Sequence, residues 1–157
     1  YSTCLSYIIT TIGVIPELGE FQNIAIEKAD CEDTSFPSGS FDTVFVANTI
    51  NTVENPLRVL RESCRMLKAD GLLIIVNYTI FGMKWTEKLK HIIRFLRKYG
   101  IPPTYIRTYS PEGLARLTQS AGFGAEELRL IGDKAKAVYL KARKGAALYP
   151  YVGAETK

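Results

Sequence analysis

Seven residues of this 157-residue chain carry groups suited to holding a polar ligand, and each follows a β-prone run. Asp30 and Cys31 come after Ile24-Ala25-Ile26-Glu27-Lys28, and Asn48, Thr49 and Asn51 come after the run Phe41 to Val46. Tyr78 and Thr79 come after the uninterrupted aliphatic run Leu72 to Val76. In an open parallel sheet, ligands bind in the crevice beyond the carboxyl ends of the strands. A carboxylate just past such an end, as at Asp30, can accept a hydrogen bond from an exocyclic amine, and the N–H of Cys31 can donate to a ring nitrogen. Each position also has an ordinary reading: Asp30 as a solvated loop acid, Asn48 and Thr49 as turn formers. The residue types exclude other chemistries more firmly. Cys4, Cys31 and Cys64 form no C-x-x-C pair, and with His91 as the sole histidine they make no recognisable zinc site. No nucleophile–base dyad stands out, so no catalytic residue is assigned.

The elements that must position these residues are legible from period and punctuation. The second β-prone run follows the turn signal Pro37-Ser38-Gly39-Ser40. A helix is expected from about Pro56 to Lys68, with Asn55 as N-cap, Pro56 at the first helical position and Gly71 past its end. Leu57, Leu60, Cys64 and Leu67 recur at helical spacing. Strand, helix and buried strand make a β-α-β unit with a right-handed connection. Further helices are expected from about Trp85 to Tyr99 and from Pro111 to Ser120, the latter capped by Ser110 and stopped by Gly122. Leu128 to Ile131 and Ala135 to Leu140 then flank the turn pair Gly132-Asp133 as a hairpin.

Composition sets the outer bounds. With 46% hydrophobic and 23% charged residues the chain is expected to fold rather than stay disordered. A net charge of +4 is too mild for a dedicated nucleic-acid binder. No apolar run reaches the roughly 18 residues that span a bilayer. The first fifteen residues are apolar but lack a basic leader, so they do not read as a signal peptide. The missing initiating Met leads to the expectation that the chain begins partway through a longer protein. An odd, sparse set of thiols fits a reducing compartment, hence the cytoplasm.

Three motifs in register carry a resemblance. They are Ala29-Asp30-Cys31-Glu32-Asp33 through Phe36-Pro37 to Phe41-Asp42; Asn55-Pro56 with Glu62 and Arg65-Met66-Leu67-Lys68-Ala69-Asp70-Gly71; and Ser110-Pro111-Glu112-Gly113-Leu114 with Ala121-Gly122-Phe123. From about Ile24 to Lys144 the chain resembles the class I S-adenosylmethionine-dependent methyltransferases of small-molecule and lipid type. The resemblance implies a Rossmann-like α/β fold, with a mostly parallel sheet of order 3-2-1-4-5-7-6 ending in an antiparallel hairpin and incomplete at the N-terminus. Residues 1–144 would form a partial methyltransferase domain and 145–157 a flexible tail.

For cofactor S-adenosylmethionine, the resemblance places Asp30 and Cys31 at the adenine, and Asn48 and Thr49 at the methionine part. Asn51, Tyr78, Thr79 and Trp85 then fall on the acceptor side. Three departures stand out. The glycine-rich loop expected after the first strand does not occur, although Tyr1-Ser2-Thr3 resembles the segment just past such a loop. The ribose-binding acid has no clean match beyond Glu17 or Glu20, and Thr52 stands where family members often carry His. The family order also puts two strands between the one ending at Asp30 and the one starting at Phe41, a void unless residues 1–20 fill part of it.

Residues 84–99 combine an apolar stripe (Trp85, Leu89, Ile92, Ile93, Leu96) with Lys88, Lys90, Arg94, Arg97 and Lys98. This segment reads either as an amphipathic helix packed on the sheet or as a lid over an apolar or anionic substrate, with peripheral membrane contact. The implied function is methyl transfer to a small-molecule or lipid acceptor, with no nucleic-acid partner. The alternative is a non-catalytic domain of the same fold, serving as an interaction partner or a decayed copy.

Overall fold

The computed structural model describes residues 6–7, 24–25, 29–81, 83–99, 107–132 and 137–145. In chain order the elements are β1 (Ser6–Tyr7), β2 (Ile24–Ala25), β3 (Phe41–Ala47), α1 (Pro56–Met66) and β4 (Leu67–Tyr78). Then come α2 (Trp85–Tyr99), α3 (Pro111–Ser120), β5 (Phe123–Ile131) and β6 (Ala137–Lys144). The main sheet has the order β3-β4-β6-β5, while β1 and β2 form a separate parallel pair. β3 and β4 are parallel, joined through α1; β6 is antiparallel to both β4 and β5. This order reproduces the 4-5-7-6 side of the expected sheet, terminal hairpin included. Among the described residues no strand continues the sheet beyond β3, and Phe45 on that strand is 60% exposed.

The core lies on one face of the sheet. Along β4 the buried positions alternate with half-buried ones, so Leu73 and Ile75 point inward and Leu72 and Ile74 do not. Leu73 and Ile75 pack with Leu128, Val138 and Leu140 of the hairpin strands, Val59 and Leu60 of α1, and Leu114 and Ala115 of α3. Both helices start as their sequences require. The side chains of Asn55 and Ser110 accept from the Arg58 and Gly113 N–H groups, with proline inside each first turn.

Two boundaries differ from expectation. α1 ends at Met66, and Leu67 is already extended, so the strand begins without a loop. The stop is not made by Gly71. The N–H groups of Gly39 and Ser40 donate to the carbonyls of Arg65 and Met66 (both 2.9 Å), satisfying acceptors that a continuing helix would have used. The left-handed residue is Asp70 (φ 58°), inside an irregularity where Phe41 pairs with Leu67 but Thr43 with Leu72. The hairpin register pairs Ile131 with Ala137, so its connection covers 132–136 rather than a two-residue turn. Gly132 has a positive φ of 92°; Asp133 lies outside the described residues, as do Tyr1 to Thr3, Glu17, Glu20 and the tail beyond Gly145.

Candidate functional site

The carboxyl ends of β3 and β4 are locked together by two asparagines. Asn48 turns the chain out of β3 with φ 52°, a left-handed conformation that asparagine tolerates better than most residues. Its N–H donates to the Val76 carbonyl, and its Oδ1 accepts from the Tyr78 N–H, both at 2.8 Å. The buried Asn51 donates through Nδ2 to the Tyr78 carbonyl at 2.7 Å. Both backbone groups of Tyr78 are therefore fixed from the neighbouring loop, which sets where its ring leaves the rim. Burial raises the pKa of the Tyr78 phenol above its ordinary value, so it stays protonated at neutral pH.

Behind this rim, Asn77 Nδ2 donates to Asn51 Oδ1 at 3.2 Å, while Asn77 Oδ1 is buried with no partner among the described residues. Arg107 braces the same loop: its N–H donates to the Asn51 carbonyl (3.0 Å), and its guanidinium to the carbonyls of Val53 and Glu54 (2.9 and 2.8 Å). Thr79 is buried. Its hydroxyl donates to the Tyr109 carbonyl and accepts from the Phe81 N–H, both at 3.0 Å, closing the turn that leaves β4. Thr49 is half-buried and its hydroxyl donates to Ala47 O at 3.1 Å. Trp85, at the start of α2, is 75% exposed.

The Asp30 turn is tied through Glu32 to the far end of the loop that leaves β3. Asp30 is exposed; its Oδ1 accepts from the Glu32 N–H at 2.9 Å and its carbonyl from the Asp33 N–H at 3.2 Å. Glu32 then reaches across to accept from the Asn55 N–H at 2.8 Å, where the loop leaving β3 enters α1. Cys31 packs half-buried beside the core, its thiol pushed up in pKa by burial and by the Asp30 carboxylate. At that position the thiol is neutral.

The rest of the loop is clasped by a buried carboxylate. Glu62, 8% exposed, accepts at Oε1 from the Thr34 N–H (2.8 Å) and hydroxyl (2.7 Å). Arg65 donates to it in a fork, Nε to Oε2 at 2.9 Å and Nη2 to Oε1 at 2.6 Å. The same guanidinium reaches Ser38 Oγ (3.1 Å) and the Thr34 carbonyl (3.2 Å). The Arg65 guanidinium, outweighing the cost of burial, and the Thr34 donors lower the Glu62 pKa to about 2. Glu62 is buried because the loop of residues 30–40 folds over that side of α1, while Arg65 stays partly exposed.

The sequence, read with its resemblance, singled out Asp30, Asn48, Asn51 and Tyr78 but gave no holding role to Glu32, Glu62, Asn77 and Arg107. One signal was present. Val59, Glu62, Ser63 and Met66 fall at i, i+3, i+4 and i+7, and all four are buried.

The asparagine lock makes a direct prediction. Asn48→Ala loses the bond to Tyr78 and places alanine in a left-handed conformation, at an expected cost of roughly 1–3 kcal/mol. Asn48→Gly relieves only the backbone part, so urea unfolding should rank the variants wild type, then Gly, then Ala. Equal midpoints for all three would mean that the lock contributes nothing.

A β3-β4-β6-β5 sheet with α1 crossing between its parallel strands, and polar residues gathered at their carboxyl ends, is one side of the Rossmann-like methyltransferase architecture. Comparison with known proteins gives the same class. Residues 12–75 match the family described as "Methyltransferase domain". The chain is 31% identical over 124 residues to the Ubiquinone/menaquinone biosynthesis C-methyltransferase UbiE of Laribacter hongkongensis (strain HLHK9), covering 79% of this chain and 47% of that protein. To the protein of the same name from Geotalea uraniireducens (strain Rf4) it is 39% identical over 68 residues, 43% of this chain and 29% of that one. A SAM-dependent methyltransferase from Methanosarcina mazei superposes with a TM-score of 0.60 at 19% identity, covering 77% of this chain and 67% of that one, which shows the fold. The chain is similar to part of a class I S-adenosylmethionine-dependent methyltransferase domain and has its fold. It spans less than half the length of these two curated relatives.

S-adenosylmethionine is the cofactor of that class, and the residues present fit one end of it. Asp30 offers an exposed carboxylate whose Oδ2 takes no hydrogen bond among the described residues, beside a neutral thiol and a loop anchored at both ends.

Proposed function

We propose that this chain supplies the adenine side and the acceptor side of a methyltransferase acting on a small apolar acceptor. The observation that supports it most is the rim: Asn48 and Asn51 hold Tyr78 from both sides, while Glu32 ties the Asp30 turn to the same loop. When bound, S-adenosylmethionine supplies an electrophilic methyl group on a sulfonium. In this reading the protein's part is to bind, orient and exclude water. Asp30 and the Cys31 N–H hold the adenine edge. Asn48 and Thr49 face the methionine part. Asn51 and Thr79 act from beneath, fixing the backbone on which Tyr78 presents its ring to the acceptor. A protonated Tyr78 orients the acceptor rather than taking its proton.

The two curated relatives are named for C-methylation in ubiquinone/menaquinone biosynthesis, which favours an electron-rich quinol carbon as the acceptor. Such an acceptor is already nucleophilic, in keeping with a rim that carries no acid–base dyad among the described residues. The test uses the full-length protein with methyl-labelled S-adenosylmethionine and a quinol bearing a hydrocarbon tail. Label should appear in the organic phase, and more slowly with a tail-less quinol. If calorimetry detects no S-adenosylmethionine binding and no label transfers, the reading fails and a non-catalytic domain of the same fold takes its place.

A further inference from the structure

The apolar stripe of α2 has no cover among the described residues. Trp85 is 75% exposed, Leu89 45%, Ile92 36%, Ile93 46% and Leu96 38%, and Phe81 just before the helix is 45% exposed. The expectation that this face packs on the sheet is not met: the core is built from β4, the hairpin strands, α1 and α3. An exposed apolar face of this extent marks a surface that meets something else.

Charge indicates what. Residues 84–99 hold six Lys and Arg and one Glu, a net charge of +5, whereas the whole chain carries +4. The other 141 residues together therefore carry −1, and the net positive charge of the protein is concentrated in this one segment. At about 100° per residue, the five apolar residues share a face. Lys84 and Lys88 fall along one border and Lys90 and Arg97 along the other, with Glu87 and Arg94 behind. Cations on both margins of an apolar stripe match a layer whose surface is anionic and whose interior is hydrocarbon. A second copy of the same basic helix would bring like charges together, and an acidic protein groove would not call for flanking on both sides.

We propose that α2 lies in the surface of an anionic lipid bilayer, with Trp85, Leu89, Ile92, Ile93 and Leu96 inserted at the headgroup–acyl boundary and its lysines and arginines on the lipid phosphates. This inference stands independently of S-adenosylmethionine binding. It places the rim next to the membrane, because only six residues separate Tyr78 from the first residue of α2.

Trp85 is the chain's single tryptophan, so its fluorescence reports the contact directly. The full-length protein, or a version in which any further tryptophan is replaced by phenylalanine, is titrated with vesicles of phosphatidylcholine alone and with added phosphatidylglycerol. Emission should move to shorter wavelength only with the anionic vesicles. Binding should weaken about tenfold or more on raising salt well above physiological strength, as surface charge is screened. Leu89→Glu/Ile93→Glu should abolish the shift while leaving the thermal melt and S-adenosylmethionine affinity unchanged. Lys90→Glu/Arg97→Glu should weaken it without touching the apolar residues. Emission already at short wavelength without vesicles would mean that the stripe is covered by protein. A shift tracking protein concentration and dimerisation would make the occupant a second copy. No response to anionic vesicles, or an undiminished one in both double variants, would overturn the proposal.

Discussion

Glu62→Ala should lower the unfolding free energy by roughly 1–3 kcal/mol, the range expected when the acceptor of buried hydrogen-bond donors is removed. The loss exceeds that of an ordinary helix-surface glutamate because two Thr34 donors and the Arg65 fork converge on this carboxylate. Glu62→Gln keeps the shape and an acceptor for Thr34 but not the charge, and should lose less. The two variants also differ from wild type in pH dependence. A carboxyl group whose pKa is about 2 in the folded protein, against an ordinary 4.5, contributes its full stability above the unfolded value and loses it as pH falls towards 2. Wild type should therefore lose up to about 3 kcal/mol through this group between pH 5 and pH 2. In Glu62→Gln that component is absent, and the stability difference between the two proteins should shrink steadily across the window. Urea unfolding at several acid pH values measures it. A difference that stays constant from pH 6 to pH 3 would show that the clasp is not ionic.

Asp30→Ala should leave stability within about 0.5 kcal/mol, because the side chain is exposed and its one hydrogen bond among the described residues is local. Its effect should fall on S-adenosylmethionine affinity, reduced about 10- to 100-fold by loss of a charged acceptor. The contrast with Glu62 separates contact from positioning. Asp30→Ala changes binding without stability. Glu62→Ala changes both together, since releasing Thr34 from α1 loosens the loop that carries Asp30. An affinity unchanged in Asp30→Ala would remove this residue from the site.

How far the sequence carries the fold depends on how local each cause is. The caps of α1 and α3 were legible because Asn55-Pro56 and Ser110-Pro111 act within a single turn. The β-α-β unit and the terminal hairpin were legible from period and turn signals, whereas the order that sets β6 beside β4 came from the resemblance. The end of α1 was not legible, because its last carbonyls are satisfied by Gly39 and Ser40, some 26 residues earlier in the chain. Glu62 reads as a surface residue for the same reason: only the folded loop of residues 30–40 buries it. The rim shows both cases. Asn48, Asn51 and Tyr78 could be picked out as polar residues at strand ends, but the bonds linking them span 27 to 30 residues. No spacing rule forecasts that Asn51 would hold a backbone carbonyl from beneath rather than face the rim. For α2, the pattern gave both an apolar stripe and a cationic border, and only the folded structure shows the stripe without cover among the described residues.

The methyltransferase proposal requires that Asp30, Cys31, Asn48, Thr49 and Tyr78 line one ligand-binding edge. Titrating isotope-labelled full-length protein with S-adenosylhomocysteine, and tracking backbone amide resonances, tests it residue by residue. The amides of these five should shift together with one dissociation constant, while those of β5, at the far edge of the sheet, stay still. Saturating ligand that moves the β5 amides and leaves the five unmoved would contradict the account.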